Sequence, residues 1–282
     1  MSPQKPASVT LAVANQKGGV AKTTSVASIG AALAELGHRV LLVDLDPQAC
    51  LTFSLGIDPE DLDTSVHHVL TQGVDPAEVI IETEDGVDVL PATIELARAE
   101  ADLLTRTGRE HVIKGALEQL ADDLADSEEG PYDWVLLDCP PSLGVLTVAA
   151  LTAADGVLVP LQCETLSHRG VGQLLDTVHD VRRFTNRGLE VWGVLPTLYD
   201  GRTTHARTVL ETISETYDLE VVEPPIPKTI KFAEAPAAGR SILATSRSSK
   251  GAVAYREVAR NLVERASRPR PKKVVRKPAR TR

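Results

Sequence analysis

The sequence predicts an α/β protein with a doubly wound, mostly parallel sheet flanked by helices. Apolar runs of strand length alternate along the chain with segments of helical periodicity, which is the pattern of parallel strands joined by helical crossovers. The clearest of these runs, such as RVLLVD at residues 39–44, are apolar throughout, as strands buried on both faces require. One domain of this class accounts for most of the 282 residues.

The predicted elements follow this alternation in order. The predicted strands are short runs rich in Val and Leu, and they cover residues 8–14, 39–44, 86–90, 134–138, 156–160 and 190–195. The first helix is predicted over residues 22–36, because Gly37 follows it as a stop signal. Residues 122–133 are rich in acidic side chains and indicate an exposed helix end and turn. A later helix is indicated by apolar residues that recur on one face, namely Val171, Leu174, Leu175, Val178 and Val181.

Charge is unevenly distributed along the chain. The formal net charge is −9, from 30 basic and 39 acidic residues, yet residues 265–282 contain nine basic residues and no acidic one. Residues 1–264 therefore hold 21 basic and 39 acidic side chains, a net charge of −18. A basic run of this kind is typical of a disordered interaction arm, and its three prolines prevent one continuous helix. We predict a folded domain over residues 1–264 and a disordered basic tail over residues 265–282.

Composition excludes several classes of protein. No apolar run approaches the ~20 residues that span a bilayer, so no transmembrane segment is predicted. The first residues contain no apolar stretch of the kind found in secretory signals. The three cysteines, Cys50, Cys139 and Cys163, are too few and too scattered for a disulfide framework or a zinc site. The sequence therefore predicts a cytoplasmic protein with reduced cysteines.

A glycine-rich segment lies between the first predicted strand and the first predicted helix. Its backbone N–H groups and the positive end of the helix dipole would both face a bound phosphate. Lys22 would contact the β- and γ-phosphates of a nucleotide, and the Thr23 hydroxyl would bind Mg²⁺. Ala21 stands where the usual pattern has glycine, and we expect it to keep a negative φ. The predicted phosphate-binding residues are Gly18, Gly19, Val20, Ala21, Lys22, Thr23 and Thr24.

Three carboxylates follow predicted strands. Asp44 and Asp46 lie at the end of the second strand in VDLDPQ, where the two-residue period of a strand directs both to one side. Asp138 ends the apolar strand WVLLD, which is the form of a Walker-B magnesium partner. Because ligands of parallel sheets bind beyond the carboxyl ends of the strands, these acids indicate a magnesium site beside the phosphate loop.

Taken together, KGGVAKTT, VDLDPQ and LLDCPPSLG resemble the deviant-Walker ATPases of the ParA/MinD group. The resemblance runs from about residue 8 to residue 264, and PLQCETLSHRGVGQLL, PTLYDGRTTHARTVL and PPIPKTIKFAEAPAAG are most similar to the small, Soj-like ParA branch. It implies a P-loop NTPase fold with ATP and Mg²⁺ as cofactors. It also implies slow, partner-stimulated hydrolysis of ATP to ADP and phosphate.

The resemblance implies roles for individual residues. Lys17, the extra lysine at the start of the loop, would be a catalytic and nucleotide-binding residue that reaches the phosphates bound to the partner of an ATP-bound homodimer. Lys22 would act on the phosphates of its own subunit. Asp46 would position the attacking water, Asp44 would support the magnesium shell, and Asp138 would bind Mg²⁺ through water.

Further positions are carried over from later segments. Pro227 and Thr229 stand where the family contacts adenine, although the family usually has Asn at the position of Thr229. Glu164 would either face the nucleotide or a partner, or serve the entry of a helix. Members of this branch bind DNA without sequence specificity as ATP dimers. The candidates for that contact here are Arg202, Lys228, Lys231, Arg240, Arg247 and Lys250.

The implied function is a nucleoid-associated ATPase that takes part in chromosome or plasmid segregation with a ParB-like partner. The basic tail would add a second arm for DNA phosphates. One alternative is an orphan ParA-like ATPase that positions a protein cargo on the nucleoid, because a partner recognises the cargo in either case. The other is a MinD-like membrane-associated ATPase. That function requires an amphipathic helix with bulky apolar residues, and the tail offers only Val274 and Val275.

Overall fold

The computed structural model describes residues 8–164 and 167–268. The strands of its sheet are β1 (Val9–Val13), β2 (Val40–Asp44), β3 (Ile81–Glu82), β4 (Asp88–Leu90), β5 (Trp134–Asp138), β6 (Gly156–Gln162) and β7 (Glu190–Thr197). The helices are α1 (Lys22–Glu35), α2 (Cys50–Ser54), α3 (Val66–Gln72), α4 (Leu96–Leu104), α5 (Val112–Leu124), α6 (Val145–Ala153), α7 (Ser167–Phe184), α8 (Thr204–Tyr217), α9 (Lys231–Glu234), α10 (Ile242–Thr245) and α11 (Lys250–Ala266).

The strands form one sheet in the order β3-β4-β2-β5-β1-β6-β7. The strand pairs are parallel, apart from the antiparallel pair of β3 and β4 at one edge. This topology confirms the predicted fold class. The central strand β1 lies between β5 and β6, so the segment that follows β1 opens at the middle of the carboxyl edge, where such folds bind ligands.

Helices cover both faces of the sheet. In β2, Leu41 and Val43 belong to the apolar core shared with α3 to α8, whereas Val40 and Leu42 belong to the core shared with α1, α10 and α11. Successive residues of a strand point to opposite faces, which explains why the strand had to be apolar at every position. Helix α1 lies close to the sheet at Gly30, where a Cβ atom would stand 2.6 Å from a methyl carbon of Leu42.

The C-terminal boundary differs from the one that the charge pattern predicts. Helix α11 continues to Ala266, and Arg265 belongs to the folded domain instead of the tail. Its guanidinium donates to the backbone oxygen of Trp192 and to Glu220, and it lies over the Trp192 ring. The remainder of the predicted tail, residues 269–282, lies outside the described residues.

Strand β3 has no counterpart among the predicted strands, because two residues at a sheet edge are too few to show a periodic pattern. Strands β6 and β7 extend two residues beyond their predicted ends, to Gln162 and Thr197. None of the helices in the described part of the chain is long and apolar enough to cross a membrane.

Candidate functional site

The glycine-rich segment is a loop whose two ends are hydrogen-bonded to other strands of the sheet. At its start, the Asn15 amide donates to the backbone oxygen of Pro160 on β6 at 2.7 Å, and the Asn15 side-chain oxygen accepts from the backbone N–H of Lys17 at 3.0 Å. At its far end, the buried Thr197 hydroxyl donates to the backbone oxygen of Val20 at 2.9 Å. Two buried hydrogen bonds from β6 and β7 therefore hold the loop in one conformation above β1.

Ala21 has φ 62° and ψ 37°, so the expectation of a negative φ is wrong. Glycine is usual at this position because an L-residue with a Cβ atom pays about 1 kcal/mol or more for the left-handed conformation. Ala21 lies at the N-cap of α1, where the loop ends and the helix begins, and the left-handed conformation makes this turn. Its backbone oxygen accepts hydrogen bonds from both the backbone N–H and the hydroxyl of Ser25.

Lys22 is the first residue of α1, and only 7% of it is exposed. Burial lowers the pKa of its ammonium, while the negative charges of Asp138 and Asp46 oppose that change. Within the described residues its ammonium reaches the backbone oxygen of Lys17 at 3.4 Å, which is a weak contact. A buried cation so weakly paired, at a helix N-terminus beside the glycine-rich loop, is suited to a polyphosphate.

The sheet register brings the predicted acids together. Asp44 of β2 lies beside Asp138 of β5, and Asp138 in turn lies beside Val13 at the end of β1. Both carboxylates are fully buried. Burial raises the pKa of Asp138 well above its usual range and the Asp44 charge adds to this, while Thr23 and Lys22 oppose it. The three groups named for the magnesium site, Thr23, Asp44 and Asp138, are therefore neighbours.

Asp138 fits a cation better than it fits the protein around it. Neither of its buried oxygens has a hydrogen bond of normal geometry to any described residue. Buried polar atoms without partners are rare and call for an explanation, and a hydrated cation provides one. No cluster of three or more acidic, histidine or cysteine side chains that could hold a metal occurs in residues 8–164 and 167–268. Mg²⁺ is usually held by one or two protein groups, waters and substrate phosphates.

Asp44 and Asp46 have different surroundings. One oxygen of Asp44 accepts from the backbone N–H and the hydroxyl of Thr52, at 2.9 and 2.8 Å, and the other accepts from the backbone N–H of Asp46 at 3.1 Å. Asp44 thus anchors the turn after β2, and a contribution to the magnesium shell stays a prediction. Asp46 lies on that turn, is partly exposed and lines the cleft beside the phosphate loop.

The cleft has a volume of about 670 Å³ and extends from the phosphate loop to an apolar end. Thr229 lines it, whereas Pro227 follows the lining residue Ile226, and contact of either residue with adenine stays a prediction. Sequence reasoning missed most of the apolar end, because it is formed by short segments far apart in the chain. Arg240, a predicted DNA contact, also lines it and is bound to Glu84 and Asp85. The missed lining residues include Cys50, Phe53, Phe232, Ala235, Pro236, Ser241 and Ile242.

Lys17 does not line this cleft. Its ammonium lies 2.5 Å from a carboxylate oxygen of Glu164, and both side chains are partly exposed. Glu164 also forms backbone contacts with Ser167 at the start of α7. The second of the two roles open for Glu164, helix entry, is therefore present, together with a pairing to Lys17 that the sequence does not reveal.

The predicted DNA contacts lie in the part of the chain that follows β7. Arg202 is exposed and paired with Asp200, Lys231 is paired with Glu234, and Lys228 lies near Asp200. Arg247 and Lys250 are exposed at the start of α11. Arg202, Lys228, Arg247 and Lys250 are thus exposed and Lys231 is partly exposed, whereas Arg240 lines the cleft. DNA binding by these residues stays a prediction.

Comparison with known proteins identifies the family to which the chain belongs. A family model described as an AAA domain matches residues 8–191. The sporulation initiation inhibitor protein Soj of Bacillus subtilis is 41% identical over 253 residues, which cover 89% of this chain and 97% of Soj. The chromosome partitioning protein ParA of Caulobacter vibrioides is 40% identical over 256 residues, which cover 90% of this chain and 94% of that protein. The chain belongs to the ParA/MinD superfamily of ATPases.

The nucleotide of this ATPase follows from a solved structure. A protein from Mycobacterium smegmatis, described as cobyrinic acid a,c-diamide synthase with bound ATP analogue and magnesium, is 55% identical. It has a TM-score of 0.80, and the alignment covers 92% of this chain and 95% of that one. The ParA/MinD-like ATPase described here therefore uses ATP and Mg²⁺. Lys22, Thr23 and Asp138 are the residues whose surroundings fit that pair.

Proposed function

We propose that this ATPase is a switch that dimerises with ATP, binds DNA without sequence preference and takes part in chromosome or plasmid segregation. The observation that carries the proposal is the separation of the two loop lysines. Lys22 lies in the cleft of its own chain, whereas Lys17 lies outside that cleft and is exposed enough to contact another subunit. The names of the relatives Soj and ParA support segregation as the process.

Hydrolysis would proceed on the side of the cleft lined by Asp46. Bound Mg²⁺ would neutralise phosphate charge, with Thr23 and Asp138 as its protein partners. Asp46 is partly exposed and lines the cleft, so it would be accessible to the attacking water. Lys22 would stabilise the developing charge of the transferred phosphoryl group, because a cation in a buried site acts more strongly than one in water.

Substitution of the loop lysines tests the switch. Lys22→Ala is expected to abolish Mg-ATP binding in calorimetry, because the loop without Lys22 offers only backbone dipoles. Lys17→Ala is expected to bind Mg-ATP but to stay monomeric by light scattering, and Asp46→Ala to accumulate as an ATP-bound dimer. If the Lys17 and Asp46 variants had the same oligomeric state with ATP, the roles proposed for them would be wrong.

DNA binding is expected to depend on ATP and on salt. A domain as acidic as this one repels DNA, so binding requires a local basic surface that dimerisation doubles. Binding through phosphates then weakens steeply with salt, because each contact releases counterions. Lys231→Glu should remove mainly the difference between ATP and ADP in filter binding, and Lys114→Glu on α5 makes the same charge change away from that surface as a control.

Deletion of residues 269–282 should weaken DNA binding equally with ATP and ADP. Equal binding with both nucleotides by the tail-deleted protein would contradict the switch.

An amide synthase is the second candidate, because the Mycobacterium smegmatis protein carries that name. If such an enzyme released ammonia from glutamine with a cysteine nucleophile, that thiol would need a lowered pKa. Burial instead raises the pKa of the thiols of Cys50, Cys139 and Cys163. These shifts favour the switch. Formation of amide product from cobyrinic acid, ATP and glutamine or ammonia by the purified protein would favour the synthase.

A further inference from the structure

A buried tyrosine on the last helix lies within reach of the phosphate loop. Tyr255 of α11 is fully buried, and its hydroxyl lies 2.9 Å from the hydroxyl of Ser25 on α1. Ser25 is also fully buried, and its hydroxyl lies 2.7 Å from the backbone oxygen of Ala21. The three groups form a short chain of hydrogen bonds that runs from Tyr255 through Ser25 to Ala21. Tyr255 and Ser25 are 230 positions apart in the sequence.

The direction of this chain follows from its donors. A serine hydroxyl has one hydrogen, and the backbone oxygen of Ala21 can only accept. Ser25 therefore donates to Ala21, and Tyr255 donates to Ser25. Burial raises the pKa of the Tyr255 hydroxyl, which keeps its proton in place. Each hydrogen bond polarises the next, so that the bond to Ala21 is stronger with Tyr255 present.

The backbone oxygen of Ala21 matters because of the peptide group to which it belongs. That group also contains the N–H of Lys22, and the peptide plane is rigid, so fixing the oxygen fixes the direction of the N–H. The oxygen points towards Ser25, and the N–H therefore points the opposite way, out of the first turn of α1. Ala21 holds this plane in a strained left-handed conformation, which persists only where its surroundings enforce it.

Tyr255 also contacts a residue that lines the other end of the cleft. Its ring packs edge-to-face on Phe232, with ring centroids 5.8 Å apart. Phe232 lines the apolar end of the nucleotide cleft. Tyr255 thus contacts groups that lead to both ends of the site without lining the cleft itself.

We propose that Tyr255 is a positioning residue for nucleotide binding, which acts through Ser25 to hold the Ala21–Lys22 peptide in its phosphate-facing orientation. The proposal rests on binding of the phosphates by the loop of residues 18–24. It assigns to α11 a part in nucleotide binding, although α11 carries no residue that lines the cleft.

Removal of the hydroxyl alone tests this role. Tyr255→Phe should keep the ring packing on Phe232 and weaken binding of both Mg-ATP and Mg-ADP by about two- to tenfold, the usual effect of one lost hydrogen bond. Tyr132→Phe is the matched control, because its hydroxyl also donates a single short hydrogen bond, to Asp88, at the opposite edge of the sheet. Both variants lose a partly or fully buried hydroxyl bond, so thermal unfolding without nucleotide should shift in both.

The result that supports the proposal is a loss of nucleotide affinity in Tyr255→Phe and wild-type affinity in Tyr132→Phe. Ser25→Ala should reproduce the loss, and the double variant Ser25→Ala with Tyr255→Phe should lose no more than Ser25→Ala. Wild-type affinity in Tyr255→Phe, an equal loss in Tyr132→Phe, or additive losses in the double variant would overturn it. Lys22→Ala distinguishes failure of the proposed function from failure of the positioning role. If Lys22→Ala binds nucleotide normally, the assigned nucleotide site is wrong. If Lys22→Ala fails to bind nucleotide and Tyr255→Phe binds it with wild-type affinity, only the positioning role of Tyr255 is wrong.

Discussion

A single backbone conformation at Ala21 decides how α1 begins. The residue is left-handed with a Cβ atom, and the surrounding hydrogen bonds compensate for the strain. Beside it, the buried carboxylates of Asp44 and Asp138 and the buried Lys22 occupy the carboxyl edge of the sheet. At this scale the site is a set of individually unfavourable features, and such features concentrate where a ligand or ion relieves them.

Replacing Ala21 with glycine is expected to stabilise the protein. Glycine adopts a left-handed conformation without strain, so Ala21→Gly should raise the free energy of unfolding by about 0.5–1 kcal/mol in urea denaturation. Ala31→Gly is the control, because Ala31 lies in the interior of α1, where glycine lowers stability by about 1 kcal/mol. Destabilisation by Ala21→Gly would show that the left-handed conformation carries no strain.

The protonation of Asp44 predicts a pH dependence. Burial raises its pKa to about 6, whereas an unfolded chain has about 3.9. Between these values the unfolded state releases the proton and the folded state keeps it, so stability falls as the pH rises from about 4 to about 6 and is constant above. Over this range, we expect the free energy of unfolding of the wild type to fall by up to about 3 kcal/mol relative to that of Asp44→Asn. Urea unfolding at several pH values measures this difference. A constant difference between the two proteins would contradict a raised pKa.

At the scale of elements, α1 and α11 form one layer against the sheet. Tyr255 and Ser25 join them beside the phosphate loop, and Arg256 and Glu35 join them at the other end of α1. The Arg256 guanidinium donates two hydrogen bonds to Glu35, with distances of 2.5 and 2.9 Å. The hydrogen bond from Arg256 lowers the pKa of Glu35. Two consecutive residues of α11, Tyr255 and Arg256, therefore make polar contacts near the two ends of α1.

Breaking this ion pair should lower stability modestly. Arg256→Ala is expected to reduce the free energy of unfolding by about 1 kcal/mol at neutral pH, because the pair is bidentate but partly exposed. The contribution exists where Glu35 is ionised, so it is lost as the pH falls through the lowered pKa of Glu35. Arg256→Lys keeps the positive charge but cannot donate two parallel hydrogen bonds to Glu35. Its free energy of unfolding should lie between those of the wild type and Arg256→Ala. An effect of Arg256→Ala that is as large in acid as at neutral pH would exclude an ionic contribution.

At the scale of the whole molecule, the folded domain ends after α11 and the basic segment follows it. Residues 1–264 carry a net charge of −18, and the last eighteen residues carry nine positive charges. Arg265 packs with the folded domain, although its charge belongs to the basic C-terminal segment. The boundary between them is therefore set by packing on Trp192 and not by composition.

Two truncations locate that boundary. A chain ending at Arg268 is expected to unfold at the same temperature as the full chain, because the removed residues follow the last described turn. A chain ending at Glu264 should lose about 1–2 kcal/mol, since it lacks the contacts of Arg265 with Glu220 and the Trp192 ring. Both are measured by thermal unfolding. Equal stability of the two truncated chains would place the boundary at residue 264.

The sequence by itself determined the fold class, the phosphate loop and the edge at which the acids meet. These features are local: an apolar run is visible in five to eight residues, and the order of strand, loop and helix places Lys22 and Asp138 before any contact is known. Only the tertiary structure decided the left-handed Ala21, the pairing of Lys17 with Glu164 and the bond from Tyr255 to Ser25. The partners in the latter two contacts are 147 and 230 residues apart, and the Ala21 oxygen accepts from Ser25, the residue that Tyr255 contacts. Periodicity and motifs report neighbours along the chain, whereas these contacts depend on how the layers pack.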